Sequence, residues 1–136
     1  KKSGDSDKKN KFEIVTTVFG RVCEEDEIDQ YLYPARNIYT LYVGGMGAKS
    51  KNFYYNLFCE YGYEDIADEL QNLYLSGNKK ESEQLFPKEL LNELTLVGTK
   101  KEIEKKLETW KESNITEISL SLPIDFETVK FIKELL

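Results

Sequence analysis

The sequence contains no histidine and has two cysteines, Cys23 and Cys59, among its 136 residues. The absence of histidine removes the commonest general base and metal ligand, and two scattered cysteines do not supply the ligands of a zinc site. Two cysteines also make no disulfide framework. A lysine-rich acidic chain without a secretory signal is predicted to be cytoplasmic, with both thiols reduced.

The chain has no excess of positive charge, because its 25 acidic residues outnumber its 19 lysines and arginines and give a net charge of -6. A general nucleic-acid binder needs a basic face to neutralise phosphates, so no nucleic-acid partner is expected. No apolar run approaches the ~20 residues of a membrane span, so no membrane partner is expected either. The length allows one domain with a hydrophobic core.

The first eleven residues differ in composition from the rest of the chain. Lysines cluster there among serine, glycine, aspartate and asparagine, a composition typical of a solvated, mobile segment. We therefore interpret residues 1–11 as a flexible N-terminal segment and residues 12–136 as the folded domain.

Three stretches have the composition of β-strands. Residues 12–22, FEIVTTVFGRV, are rich in β-branched and aromatic residues and are predicted to form a strand buried on both faces. Shorter candidates lie at residues 94–98 and 115–122. Strands that alternate with helices predict parallel βα units, and three strands leave two unpaired sheet edges. The sequence therefore predicts part of something larger.

Helical periodicity fills most of the remaining chain. Apolar residues recur at helical spacing between residues 28 and 42, where Pro34 predicts a kink or a restart. A glycine-rich turn at residues 44–47 separates this segment from a helix that includes Phe53. A further amphipathic helix is predicted at residues 65–75.

Later helices begin at recognisable caps. Thr99 followed three residues later by Glu102 forms a capping-box pattern. Pro87 can open a short helix, and Asp125 is predicted to cap the last helix of the chain.

Four stretches of the sequence resemble the C-terminal part of a luciferase-like monooxygenase, in the bacterial-luciferase superfamily of TIM barrels. The most characteristic is YVGGMG followed by KNFY and, further along the chain, by LVGT. The others are FEIVTTVFGRV, the segment that continues from LVGT to ITEISLS, and the closing DFETVKFIKELL. Within the superfamily, the sequence resembles the deazaflavin (coenzyme F420)-dependent oxidoreductases.

The resemblance implies an α/β fold, namely the C-terminal portion of a TIM (β/α)8-like barrel with about three parallel strands, their helices and a long helical insert. It implies an oxidoreductase of the luciferase-like monooxygenase class that uses a reduced flavin (FMN) or deazaflavin (coenzyme F420) on a small-molecule substrate. A whole barrel takes ~250 residues, and the first five strands are absent here. The chain is therefore expected to associate with the missing barrel portion or with copies of itself.

The resemblance also implies five cofactor-binding residues. Gly98 and Thr99 end a strand and open a helix whose N-terminal N–H groups can hold an anion; the alternative is that Thr99 only caps its helix. Gly44 and Gly45 would line the cofactor or substrate mouth, or form a tight turn between helices. Thr17, near the end of its strand, would point into the barrel mouth or pack in the core.

Lys51, Asn52 and Arg36 are further candidates to bind phosphate or carboxylate groups, with solvated helix charges as the alternative. No residue is an evident nucleophile or proton donor, which suits an enzyme whose chemistry belongs to its cofactor. Two other hypotheses stay open. One is a non-catalytic partial barrel that acts as a self-association or partner-binding module, and the other is a truncated fragment with no independent function.

Overall fold

The computed structural model describes residues 13–48, 51–121 and 123–136. The flexible segment predicted at residues 1–11 lies outside these residues. The strands are β1 (Val15–Val22), β2 (Leu96–Gly98) and β3 (Glu117–Ser121). The α-helices are α1 (Ile28–Gly45), α2 (Phe53–Phe58), α3 (Glu64–Leu75), α4 (Lys79–Leu85), α5 (Lys88–Glu93), α6 (Lys100–Lys111) and α7 (Phe126–Leu135). A short 3-10 helix (Glu25–Glu27) precedes α1, and a π-helical turn (Cys59–Tyr63) joins α2 to α3. We call residues 28–93, which contain α1 to α5, the helical insert.

The three strands form one parallel sheet in which β1 lies between β2 and β3. The pairing is staggered along β1. Its first part pairs with β3, from Val15 opposite Glu117 to Phe19 opposite Ser121. Its last part, residues 20–22, pairs with β2. The eight residues of β1 thus hold the two neighbouring strands at different heights.

This strand order differs from that of a barrel segment. In a TIM barrel the strands follow one another around the sheet and the helices form an outer ring, so β2 would occupy the middle position. Here β1 is in the middle and helices cover both faces of the sheet. With three residues, β2 is too short to hold a full strand on each side. The predicted α/β class with three parallel strands is confirmed, whereas the described strands form an open sheet.

Alternate residues of the strands face two separate hydrophobic cores. On one face, Val18 and Leu96 pack with buried residues of α6 and α7, namely Ile103, Leu107 and Ile132. On the other face, Val97 packs with the core of the helical insert, where Leu32, Leu70 and Leu91 are fully buried. Each fully buried apolar side chain of this size contributes about 1.5–3 kcal/mol to stability. The sheet is therefore held between two helical layers.

The helical insert covers only part of its face of the sheet. Val15 is 51% exposed, and Thr17 and its register partner Ser119 are also exposed. The prediction that this strand is buried on both faces is therefore wrong for its first half. We call the uncovered surface formed by Val15, Thr17, Glu117 and Ser119 the open sheet face.

Helix α1 continues through Pro34 as one helix of 18 residues and does not restart there. It ends at the glycine-rich turn, where Gly47 has a φ of 129°, a backbone conformation that favours glycine. Helix α4 was not predicted. The sequence of α4, KKESEQL, carries one apolar residue at its end, so it lacks the apolar periodicity that identifies a helix.

Asn52 joins the end of α1 to the start of α2. Its amide nitrogen Nδ2 donates to the carbonyl oxygens of Tyr42 at 2.9 Å and Val43 at 2.8 Å. Its Oδ1 accepts the backbone N–H groups of Tyr54 and Tyr55. Because the side chain is 1% exposed, these four bonds satisfy orphan groups of both helix ends in the interior.

Candidate functional site

The carboxyl ends of the three strands meet at one edge of the sheet, which we call the carboxyl edge. From β1, the chain passes to β2 on one side, and β3 lies on the other side. Ligands of open parallel sheets bind outside the carboxyl ends of the strands at such a reversal of strand order. The residues found there are Arg21 and Cys23 at the end of β1, Gly98 and Thr99 at the end of β2, and Asp125 after β3.

Arg21 and Asp125 form an ion pair across the gap between β1 and β3, with Nη1 2.6 Å from Oδ2. The guanidinium lies over the ring of Tyr31, 4.6 Å from its centroid, and Nη2 donates to the Tyr31 hydroxyl at 3.3 Å. The gap opens where β3 no longer pairs with β1. There the buried Thr128 supplies the hydrogen-bond acceptor that a neighbouring strand would supply, because its hydroxyl oxygen accepts the N–H of Val22 at 2.9 Å.

Hydrogen bonds from Thr128 hold the pKa of Asp125 below its ordinary value, and the positive charge of Arg21 lowers it further. One of these bonds runs from the Thr128 N–H to Oδ1 of Asp125 at 2.8 Å and caps α7 as predicted. The carboxylate is therefore ionised at neutral pH. The pair can orient a polar group, but Asp125 is not a proton donor there.

Thr99 caps α6 in the capping box that the sequence predicts. Its hydroxyl oxygen accepts the Glu102 N–H at 3.4 Å, and its own N–H donates to Oε2 of Glu102 at 2.8 Å. The Thr99 hydroxyl also donates to Oε2 of Glu102 at 2.8 Å. The backbone N–H of Thr99 foremost, and this hydroxyl in addition, lower the pKa of Glu102. The carboxylate of Glu102 thus occupies the anion position at the start of α6.

Gly98 lies against the same carboxylate. Its φ is 149°, and a Cβ at this position would lie 2.8 Å from Oε2 of Glu102. The backbone conformation therefore favours a glycine here, and a larger residue would also have to move the Glu102 carboxylate. Whether Gly98 and Thr99 also bind an external anion stays a prediction, and an anion at this point would have to displace Glu102.

The outer edge of β2 is closed by a lysine. Nζ of Lys106 donates to the carbonyl oxygens of Thr95 at 3.2 Å and Val97 at 3.1 Å, and burial lowers the pKa of this amine. Beside it, burial raises the pKa of the Cys23 thiol. A thiol with a raised pKa is a poor nucleophile, in keeping with its interpretation as a reduced, unreactive cysteine.

Gly44 and Gly45 lie in the last turn of α1, where it crosses α3. A Cβ on Gly44 would lie 2.6 Å from Cβ of Tyr74, and one on Gly45 would lie 2.6 Å from Cε1 of the same residue. The glycines therefore allow α1 and Tyr74 to approach closely. The alternative left open by the sequence was a tight turn between helices; the two glycines instead lie within α1, and packing against Tyr74 is what excludes larger side chains. A role of these glycines in cofactor binding stays a prediction.

Thr17 lies in the middle of β1 rather than near its end, opposite Ser119 in the register. It is exposed on the open sheet face, so it does not pack in the core. The five residues predicted to bind a cofactor are thus divided among three places. Gly98 and Thr99 are at the carboxyl edge, Thr17 is on the open sheet face, and the other two glycines are between α1 and α3.

The three further candidates also separate. Asn52 is buried and holds α1 and α2 together, so it is not the exposed polar residue that the sequence suggested. Lys51 is exposed. Arg36 lines a cavity of about 340 Å³ between α1 and α4, together with Tyr33, Lys80, Glu83 and Gln84.

A second cavity, of about 200 Å³, lies within the helical insert. Aromatic and aliphatic side chains line it: Tyr39, Tyr42, Val43, Tyr54, Leu57, Phe58, Tyr61, Phe86, Leu90 and Leu94. Tyr42 and Tyr54 stack with centroids 4.7 Å apart, and the Tyr39 hydroxyl donates to the Leu94 carbonyl at 3.3 Å. Burial raises the pKa of Tyr39. These tyrosines act in packing.

Residues 13–48, 51–121 and 123–136 contain no group of three or more acidic or cysteine side chains placed to hold a metal ion. In the same part of the chain, every helix is too short or too polar to cross a lipid bilayer.

The ion pair of Arg21 and Asp125 was missed from the sequence, where Asp125 was predicted only as a helix cap. The available signal was a lone arginine near the end of an otherwise apolar strand, followed by an aspartate just after the last strand. It becomes informative only once β1 and β3 are known to be neighbours.

One similarity to a curated protein was found. A protein of Mycobacterium tuberculosis (strain ATCC 25618 / H37Rv), whose name describes it provisionally as a coenzyme F420-dependent oxidoreductase, is 34% identical over 76 residues. The match includes 56% of this chain and 22% of the relative, so the chain corresponds to about a fifth of the relative's length. No model of a known protein family matches the chain, and no solved structure matches it significantly.

Proposed function

We propose that the chain is part of a coenzyme F420-dependent oxidoreductase and supplies one wall of its cofactor site. The observation that carries this proposal is the 34% identity over 76 residues to a protein named for that activity. Because that match includes 22% of the relative, the activity would belong to a larger structure than this chain. The name of the relative gives no support to FMN, so the deazaflavin is the cofactor proposed.

The open sheet face is the wall that we assign to the cofactor. It presents the hydroxyls of Thr17 and Ser119 next to each other, and both can hydrogen-bond the polar edge of a ring or its tail. The N-terminus of α6 does not fit a phosphate group as it stands, since Glu102 already accepts the Thr99 N–H. The open sheet face is a surface rather than an enclosed pocket, and no catalytic step is assigned to it.

A binding titration tests the proposal. The chain is titrated with coenzyme F420 while the fluorescence of the deazaflavin is followed, with FMN as a parallel ligand. Thr17→Glu places a negative charge on the open sheet face and is expected to weaken binding of the anionic cofactor at least about tenfold. Thr109→Glu, at an exposed threonine of α6, is the matched control and should leave binding unchanged.

Thermal unfolding gives the second readout. Binding to the folded state at one hundred times Kd stabilises it by about 2.7 kcal/mol, so the Tm should rise with cofactor concentration. A chain with neither a fluorescence change nor a rise in Tm would contradict the proposal. Equal weakening by the two glutamate variants would show that the wall lies elsewhere.

A second candidate function is self-association or partner binding without a cofactor. The observation that favours it is the surface of α2 and the turn after it, where Phe53 is 68% exposed and Tyr61 is 55% exposed. Exposed aromatic side chains of this kind are typical of interfaces. Sedimentation velocity at micromolar concentration should then give a species larger than 15.8 kDa, and Phe53→Ser should return it to the monomer.

A further inference from the structure

The sequence contains two arginines, and their environments differ. Arg21 is paired with Asp125 and lies over the ring of Tyr31. Within the described part of the chain, the Nε of each arginine is buried without a partner. Among the described residues, however, the guanidinium of Arg36 makes neither an ion pair nor a hydrogen bond, whereas that of Arg21 makes both. A buried, unpaired donor of a charged group is costly, so Arg36 is the arginine with unused binding capacity.

Arg36 faces a cavity between α1 and α4. The cavity has a volume of about 340 Å³, close to the lower limit of the ~300–1,000 Å³ found for small-molecule sites. Arg36 and Tyr33 lie one turn apart on α1. Lys80, Glu83 and Gln84 line the opposite wall from α4.

The acids near this cavity already have other partners. Oδ1 of Asp29 is 2.8 Å from Nζ of Lys88. Arg36 acts on Asp29 only through space, where it adds to the lowering of the pKa that Lys88 produces. Oε1 of Glu83 accepts Nδ2–H of Asn37 at 2.8 Å, which ties α4 to α1.

The charges around the cavity select the ligand. Arg36 and Lys80 supply two positive charges, and the 8% exposed Glu83 supplies one negative charge, so the walls carry a net single positive charge. That charge complements a monoanion, whereas a dianionic phosphate would meet the buried carboxylate. The planar fork of a guanidinium matches a carboxylate, and the half-exposed ring of Tyr33 can cover an apolar group attached to it.

We propose that the cavity between α1 and α4 binds a small monocarboxylate, whose carboxylate is held by Arg36 with Lys80 beside it and whose apolar part lies on Tyr33. The site lies in the helical insert and shares no lining residue with the carboxyl edge or the open sheet face. The proposal does not depend on the proposed function.

The two arginines allow a direct test by nuclear magnetic resonance. In the ¹⁵N-labelled chain each arginine gives its own Nε–H signal, and Arg36→Gln assigns them. The chain is titrated with acetate and with benzoate at constant ionic strength. We expect the Arg36 signal to shift and saturate, with benzoate binding more tightly than acetate, while the signal of the paired Arg21 stays in place.

Variants separate recognition from simple charge attraction. Arg36→Gln should abolish the saturable binding, seen then in the remaining backbone signals of α1 and α4. Arg36→Lys keeps the charge but loses the fork, and it should weaken binding about tenfold or more. Lys80→Gln should weaken binding about threefold. Lys130→Gln, at an exposed lysine of α7, should leave it unchanged.

Several outcomes would overturn the proposal. Non-saturating shifts of equal size at both arginines would show that only general ionic attraction acts. Inorganic phosphate that binds more tightly than benzoate would replace the carboxylate class with phosphate. Saturable binding of a short glutamate-containing peptide, without binding of acetate or benzoate, would make the cavity a protein contact instead.

Discussion

The helical insert and the sheet differ in how far each buries its own surface. The insert encloses a core of its own, with Leu32, Leu70 and Leu91 fully buried, and it fixes its helix ends with Asn52. The sheet has helices on both faces, yet the first half of β1 and its partner β3 remain open on one side. The insert therefore has an enclosed core of its own, although Phe53 and Tyr61 stay exposed on its surface, whereas part of one face of the sheet has no cover from the described part of the chain.

We expect the stability of the sheet to depend on the helical insert more than the stability of the insert depends on the sheet. Matched substitutions in the two hydrophobic cores test this expectation. Leu32→Ala in the insert removes a side chain that is 0% exposed, and Leu107→Ala in α6 removes one that is 1% exposed. Each should cost about 3 kcal/mol. Urea unfolding is followed by far-ultraviolet circular dichroism, which reports mainly the insert helices, and by fluorescence of the single tryptophan, Trp110, which packs against the second core.

Leu32→Ala should lower both midpoints, because the insert covers one face of the sheet. Leu107→Ala should lower the Trp110 midpoint while much of the helical signal persists. Coincident transitions in Leu107→Ala would show that the two regions unfold as one unit and would remove the proposed asymmetry.

A second variant measures how much Asn52 contributes to the stability of the helical insert. Asn52→Ala leaves two carbonyl and two N–H groups of α1 and α2 without their partner, and it should cost about 3 kcal/mol of unfolding free energy. Asn114→Ala, at an exposed asparagine of the α6–β3 loop, should change stability by less than about 0.5 kcal/mol. Equal effects of the two changes in urea unfolding would refute this role.

The smallest predicted effect is the stability lost when the charge is removed from one ion pair in each region. Asp125 in the sheet region and Asp29 in the insert both have a lowered pKa. Hydrogen bonds from Thr128 are the main cause for Asp125, and a hydrogen bond from Lys88 is the main cause for Asp29. Because each folded-state pKa lies below the unfolded one, the stabilisation is present above the unfolded value and is lost as pH falls through the folded value.

Asp125→Asn keeps a capping side chain and removes the charge, so it isolates the contribution of that charge. The variant should lose about 0.5 kcal/mol at neutral pH and nearly nothing in strong acid. Asp29→Asn should lose less, because the side chain of Asp29 is 66% exposed against 37% for Asp125. Tm values from pH ~6 down to pH ~2 check this, and a larger loss in Asp29→Asn would reverse the order.

Local signals in the sequence predicted the local structure. The strand composition of residues 12–22, the capping box of Thr99 and the cap at Asp125 each depend on a few neighbouring residues. The structure has both caps, and it has the strand at Val15–Val22. Helix α4 was not predicted because its sequence is almost wholly polar. Its partners, such as Asn37 for Glu83, are far along the chain.

The strand order and the site could not be predicted in the same way. Whether β1 pairs with β2, with β3 or with both is decided by strand length and by packing among distant helices. The five residues predicted to bind a cofactor came from the family resemblance, and such a resemblance does not show that Tyr74 packs on Gly44 or that Glu102 fills the start of α6. The ion pair of Arg21 and Asp125 depends on the same long-range arrangement.

The pairing of β1 with β3 has a consequence for the order of folding. Ile14 and Thr116, which continue this pairing through a hydrogen bond of 2.7 Å, are 102 residues apart in the chain. Closing such a long loop costs conformational entropy before any contact rewards it, and contacts this distant slow folding. During synthesis, β1 leaves the ribosome long before its partner exists. The insert helices can assemble in that interval, and the apolar edge of β1 stays unpaired until β3 has been synthesised.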